Sequence, residues 1–281
     1  MQNPFKTIGI GVAFSPNLKA NLFEGARLAL FFNATLVVIH VGEETIEKKQ
    51  ALITLLNAFK DQALHYKLIF KTGNPVNVIL NASEKNTIDL LVIGAAKKEQ
   101  LFTYYIGSIA RKITRKAKCS ILLLINPSVT RKPCRHMVVN GLEDPKTEQT
   151  IATAFYVASK LKSEKLTIVE EIKQGEIDVH VDDDKSLRKA TIVKARIGNR
   201  ERSRINHIIK NIPVNLTQQI AIKSQPIFGT QGYSIGHYAQ IKRADLLVMN
   251  APTKMTFLDR LFPHDIEHIL SELPTDVLIV Q

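Results

Sequence analysis

The 281-residue chain is poor in cysteine, has no long hydrophobic run, and carries few acids for its number of bases. Cys119 and Cys134 are its two cysteines, and they are not spaced as a C-x-x-C pair. Two thiols in a chain of this length do not build a disulfide framework; a buried thiol and a linker thiol are the expectation. The longest aliphatic run, residues 121–125, suits a buried strand and is far too short to cross a bilayer. Residues 1–6 lack the apolar core of a signal peptide. A soluble, cytoplasmic protein without membrane insertion is therefore expected. No Ser-His-Asp or Cys-His set can be placed by spacing, nor any pair of carboxylates, so no catalytic residue is assigned and an enzyme is not expected.

Bases outnumber acids 38 to 26, a formal net charge of +12. They bunch in two runs, one from Lys97 to Arg135 and the other from Lys185 to Arg204. Such bunching attracts polyanions without sequence preference, and it equally describes solvated faces. No nucleic-acid recognition motif accompanies it, so nucleic acid is not an expected partner.

An internal repeat is legible. Asp89-Leu90-Leu91-Val92-Ile93-Gly94-Ala95 recurs as Asp245-Leu246-Leu247-Val248-Met249-Asn250-Ala251, an offset of 245 − 89 = 156. The run from Cys119 recurs from Thr275 at the same offset, 275 − 119 = 156. The starts of the copies match at a smaller one: Val12-Ala13-Phe14-Ser15-Pro16 aligns with Gly141-Leu142-Glu143-Asp144-Pro145, where 145 − 16 = 129. The second copy thus carries 156 − 129 = 27 extra residues, placed within 172–243. The expected domains are 1–128 and 135–281, joined by a linker at 129–134.

In the first copy, strand patterns at 7–12, 35–41, 67–70, 90–93 and 121–124 alternate with helical patterns at 18–32, 46–64, 76–86 and 109–115. Strand alternating with helix means an open, mostly parallel sheet covered on both faces. The fold class is α/β, two such Rossmann-like sheets in tandem. Ligands bind such sheets beyond the carboxyl ends of the strands, here the loops after Val12, Val41 and Ile93.

After the strand at Ile93 comes Gly94-x2-Lys97-x9-Gly107-Ser108 and then a helix. This spacing resembles the phosphate loop of the universal stress protein family, G-x2-G-x9-G-[ST]. Val12-Ala13-Phe14-Ser15-Pro16 resembles that family's first loop, His40-Val41 the end of its second strand, and Gly73-Asn74-Pro75 its G-x-P element. The resemblance covers the whole chain as a tandem pair and implies an adenine nucleotide alpha hydrolase-like fold. It also implies a non-enzymatic stress-response protein, with an internal pseudo-dimer of the two copies and a homodimer of chains. Residues 121–125 and 277–280 are the expected joining surfaces. A nucleotide-independent scaffold acting through protein partners is the alternative.

The resemblance implies a site for ATP or AMP in the first copy, formed by Val12, Ala13, Val41, Ile93, Gly94, Lys97, Gly107, Ser108 and Ile109. Glycines allow positive φ and let backbone approach phosphate closely, and a Gly-Ser opening a helix offers free N–H groups to an anion. Two positions depart from the family pattern. Ala13 replaces an adenine-contacting aspartate, at a cost of about 1.5–3 kcal/mol in binding. Lys97 replaces the middle glycine, either adding charge near phosphates or filling the groove. In the second copy the matching positions are Leu142, Asn250, Thr253, Pro263 and His264, and no nucleotide is expected there, since proline has no N–H to offer. His264 and His268 share a helical face, but no third ligand accompanies them and no metal is expected. His180 beside Asp182, Asp183 and Asp184 reads as an acidic loop, and Tyr104 and Tyr105 as packing for the phosphate loop.

Overall fold

Short β-branched runs alternating with amphipathic stretches fold as two α/β units in this computed structural model. It describes residues 2–94, 96–97, 104–105, 107–176, 179–230, 233–251, 269–270 and 273–281. The first unit comprises Met1–Pro133 and Leu270–Gln281, the second Cys134–Ile269. The first contains β1 (Thr7–Val12), α1 (Leu18–Phe32), β2 (Thr35–Val41), α2 (Ile46–Leu56), β3 (Tyr66–Lys71), α3 (Pro75–Lys85) and β4 (Leu90–Gly94). Two short strands, β5 (Ala96–Lys97) and β6 (Tyr104–Tyr105), precede α4 (Ser108–Lys116) and β7 (Ser120–Leu124). The second contains β8 (His136–Asn140), α5 (Thr147–Leu161), β9 (Lys165–Lys173), α6 (Asp184–Lys210), α7 (Val214–Thr217), β10 (Ala221–Gly229), α8 (Tyr233–Ile241) and β11 (Leu246–Asn250). The last strand, β12 (Asp276–Val280), belongs to the first unit.

The sheet of the first unit runs β7-β4-β1-β2-β3, all parallel, with β12 antiparallel beside β7. That of the second runs β10-β9-β8-β11, also parallel. Helices cover the strands, so inner strands are buried on both faces; Ile8, Ile10, Leu36, Ile39, Leu90 and Leu91 are all at or below 1% exposure. No described helix is long and apolar enough to cross a membrane.

Two expectations change. The helical pattern at 46–64 yields α2 only to Leu56; a 3-10 turn, Asn57–Gln62, follows and ends at Ala63, whose φ is +53°. The sequence boundary of 135–281 gives the last strand to the second domain. By contacts it lies with the first, where Val277 pairs with Leu123 and Ile279 with Ile121. Asp276 fastens it by accepting the Ile125 N–H at 2.8 Å. The two aliphatic runs expected at joining surfaces thus pair with one another.

The repeat recurs in hydrogen bonds. In the first unit Asp89 Oδ2 accepts the N–H groups of Lys6 and Thr7, both at 2.9 Å, while its own N–H donates to Thr7. Asp245 does the same to Arg135 and His136, at 2.8 and 2.9 Å. Both α1 and α5 have 15 residues and end on a left-handed residue, Asn33 and Lys162.

Register locates the insertion. Thr7 pairs with Thr35 and His136 with Lys165, so β2 and β9 align at 165 − 35 = 130. Leu36 pairs with Tyr66 and Leu166 with Ile222, so β3 and β10 align at 222 − 66 = 156. The extra chain therefore enters between β9 and β10. There the 27-residue α6, followed by α7, stands where the first unit has the 11-residue α2.

Candidate functional site

The carboxyl ends of β1, β2 and β4 place the expected residues of the first unit at one edge of its sheet. Val12 and Ile93 are buried, Val41 and Gly94 half-buried, and Ala13 exposed. The chain leaves β1 through a tight turn in which Ser15 N–H donates to the Ala13 carbonyl at 2.9 Å. Phe14 is thrown outward, 41% exposed, with its ring edge-on to His40 at 4.9 Å. His40 is buried, its Nδ1 3.2 Å from the Val12 carbonyl and its other side against Phe70. Gly42 is required next to it: its φ is +156°, and a Cβ there would lie 2.9 Å from His40 Nε2.

Gly94 serves space, not a left-handed turn. Neither Gly94 nor Gly107 has positive φ, which corrects the expectation of backbone freedom. A Cβ on Gly94 would lie 3.0 Å from Asn21 Oδ1, so glycine leaves room for the carboxamide that α1 lays over the end of β4. That oxygen is buried and has no hydrogen-bond partner. A Cβ on Gly107 would meet nothing within 4 Å. Gly107 is the extended N-cap of α4, and no side chain caps the helix. Among the described residues, the N–H groups of Ser108, Ile109 and Ala110 therefore open the helix without a side-chain acceptor, and no acid lies in the first turn. Ser108 and Ile109 are exposed. Lys97 belongs to β5 and pairs through its backbone with Tyr104 of β6.

The same edge of the second unit is tied together. Asn250 stands at the position of Gly94, 250 − 94 = 156, and its Nδ2 donates to Thr147 Oγ1 at 3.0 Å and Asp144 Oδ1 at 3.4 Å. Thr147 donates to the Leu142 carbonyl at 2.5 Å. At the positions of His40 and Val41 stand Glu170 and Glu171, both buried. Glu170 accepts from Ser224 Oγ at 2.5 Å through one oxygen, and its other oxygen has no partner. Burial pushes its carboxyl above the usual range, against the pull of the Ser224 hydroxyl. Glu171 accepts the Ile235 N–H of α8 at 2.7 Å. From above, α6 inserts Arg204, whose guanidinium donates to the Gly141 carbonyl and, at 2.9 Å, to the buried Glu201. Ile205 packs against Gly141 from the same helix.

Among the residues expected in the second copy, Thr253, Pro263, His264 and His268 lie outside the described residues. His180 pairs with Asp182 at 3.1 Å in an exposed loop. Burial pushes the Cys119 thiol up to about 11, so it stays protonated at neutral pH. Along β3 to its carboxyl end, a concavity of about 620 Å³ lies between β3 and α3, bordered by Lys67, Lys71 and the α3 asparagines. Sequence reasoning missed Asn21, Phe14, Glu170 and Arg204. Asn21 had a signal in its polarity on the helix beside the loop; the other three gain meaning only from packing.

This edge, with its helix start beyond β4, is the carboxyl edge of an open, mostly parallel α/β sheet of Rossmann-like type. Residues 42–124 of the first unit match the universal stress protein family. A relative, universal stress protein YxiE of Bacillus subtilis (strain 168), is 25% identical over 96 residues, 31% of this chain and 65% of that protein. The match thus spans just under two thirds of the relative. A functionally unknown protein from Pseudomonas aeruginosa PAO1 has the same fold, with a TM-score of 0.72, 16% identity, and coverage of 99% of this chain and 93% of its own. So does a universal stress protein from Archaeoglobus fulgidus DSM 4304, with a TM-score of 0.67, 15% identity, and coverage of 100% and 99%.

Proposed function

We propose that the chain is a tandem universal stress protein, in which the first unit binds an adenine nucleotide and the second does not. The observation that carries this reading is the open strand edge of the first unit. There the uncapped start of α4 at Gly107 follows Gly94 within the stretch that matches the family. Val12, Ala13 and Val41 border the base and Ile93 adds apolar contact. Gly94, Lys97, Gly107, Ser108 and Ile109 face the phosphates of ATP or AMP. Alanine at position 13 makes the affinity weak. The chain works by binding rather than turnover, as a cytoplasmic stress-response protein that self-associates.

One observation favours a second reading, a scaffold independent of nucleotide: the Phe14 ring rests on His40 beside the base position. Calorimetry with ATP and AMP separates the two. The first reading expects one nucleotide per chain, and loss of binding in Gly107→Asp. That substitution caps α4, which favours the fold by about 0.5–1 kcal/mol, yet sets a negative charge against the phosphates. No heat at about 1 mM nucleotide, a free energy of about −4 kcal/mol, leaves the scaffold reading standing.

A further inference from the structure

The inserted helix α6 concentrates the chain's charge. Residues 184–210 hold nine bases and two acids, a net +7 of the chain's +12, and the shorter α2 of the first unit has nothing comparable. The acids are Asp184 at the helix start and Glu201, which is buried and engaged with Arg200 and Arg204. Ala190, Gly198, Glu201, Ile205 and Ile208 form the buried side. At about 100° per residue, Lys185, Arg188, Lys189 and Arg196 fall on the opposite arc. All four are exposed. They span roughly 16 Å of helix at about 1.5 Å per residue.

We propose that this arc docks on the phosphate backbone of nucleic acid without reading bases. The sequence shows these bases only as a run that also describes a solvated face; folding turns four of them to one side and withdraws Glu201 from that side. A row of cations along a straight helix complements the closely spaced phosphates of a duplex. A membrane surface fits less well, because it asks for an apolar stripe opposite the charges. Here the buried side is taken by the sheet, and Ile192 is the one large apolar residue in the outward arc. The proposal is independent of nucleotide binding in the first unit.

Fluorescence anisotropy on the full chain tests it, with a labelled DNA duplex of about 20 base pairs between about 50 and 200 mM KCl. Wild type should bind with a steep salt dependence. Lys185→Gln, Arg188→Gln and Arg196→Gln together should weaken binding at least about tenfold and lower the log–log salt slope by about 2.7, near 0.9 per lost contact. Circular dichroism should stay unchanged, since all three side chains are exposed. Lys112→Gln with Lys116→Gln, on the basic face of α4, should leave binding near wild type. The proposal is overturned by absent or salt-insensitive duplex binding, by equal losses in the two variants, or by binding to phosphatidylglycerol vesicles with none to the duplex.

Discussion

Gly94 and Asn250 occupy one structural position, the carboxyl end of β4 and of β11, and their surroundings differ in kind. Around Gly94 the chain leaves an exposed Ala13, an unpartnered Asn21 oxygen and a helix start without a cap. Around Asn250 side chains bond the loop 142–147 to the strand end, and α6 brings Arg204 and Ile205 down on Gly141. The two edges share a backbone register and differ in how their side chains bond. Neither satisfies every buried polar atom: Asn21 Oδ1 in the first unit, and Asn250 Oδ1 and one Glu170 oxygen in the second, have no partner among the described residues.

The largest effect is expected from loosening the closed unit. Arg204→Ala removes the donor to the Gly141 carbonyl and leaves buried Glu201 with Arg200 alone. Breaking a largely buried charged contact of this kind should cost about 2–3 kcal/mol, read from the urea midpoint. A loss below about 0.5 kcal/mol, the size of an ordinary surface substitution, would dissolve the contrast between the units.

Next in size is a paired test of binding. Ala13→Asp should restore a hydrogen bond to the adenine amino group and raise ATP affinity about tenfold or more. Leu142→Asp makes the same change in the second unit and should add no nucleotide, because Asn250, Thr147 and Arg204 already occupy the bonding groups there. Calorimetric stoichiometry reads both; a second equivalent in Leu142→Asp would show that the second edge is open after all.

How much of this was legible follows from locality. The offsets of 129 and 156 residues predicted Asp89 and Asp245 as counterparts, because strand ends repeat with their local sequence. The helix at 18–32 could be placed from its own pattern, because its apolar residues recur at helical spacing. The sequence offered the candidate site as a list of positions around Gly94 and Gly107, but not what each glycine packs against. Space for Asn21, rather than positive φ, decides Gly94, and that contact joins residues 73 apart in the chain. The closing of the second unit was invisible for the same reason: Arg204 and Gly141 are 63 residues apart, and nothing in a run of arginines says which one turns inward. The unit to which β12 belongs could not be read from its sequence, because an aliphatic strand pattern carries no information about which edge it joins.

A smaller effect concerns the carboxylate that the closed unit buries. Burial raises the Glu170 carboxyl above its unfolded value, so the folded chain holds that proton more tightly. The resulting stability is fully present below the unfolded value, about pH 4.3, and is lost as pH rises through the folded one. Glu170→Gln keeps an acceptor for Ser224 and removes the charge. It should raise Tm by roughly 2–4 °C at neutral pH, corresponding to about 1 kcal/mol, with no gain near pH 4. Differential scanning calorimetry of the variant and the wild type across pH 4–8 reads the difference.

The smallest effect tests whether the two units share a backbone frame despite their different edges. Both α1 and α5 close with a left-handed residue whose N–H returns to the last turn: Asn33 at φ +52° and Lys162 at +59°. Asparagine tolerates that conformation, whereas a long side chain is disfavoured there by about 1 kcal/mol. Lys162→Asn should therefore stabilise the second unit by about 0.5 kcal/mol, and Asn33→Lys should destabilise the first by about as much. Opposite signs of similar size in urea unfolding would show one frame under both units. Equal signs would mean that the two helix ends are held by different forces, and that the likeness between the units stops at the strands.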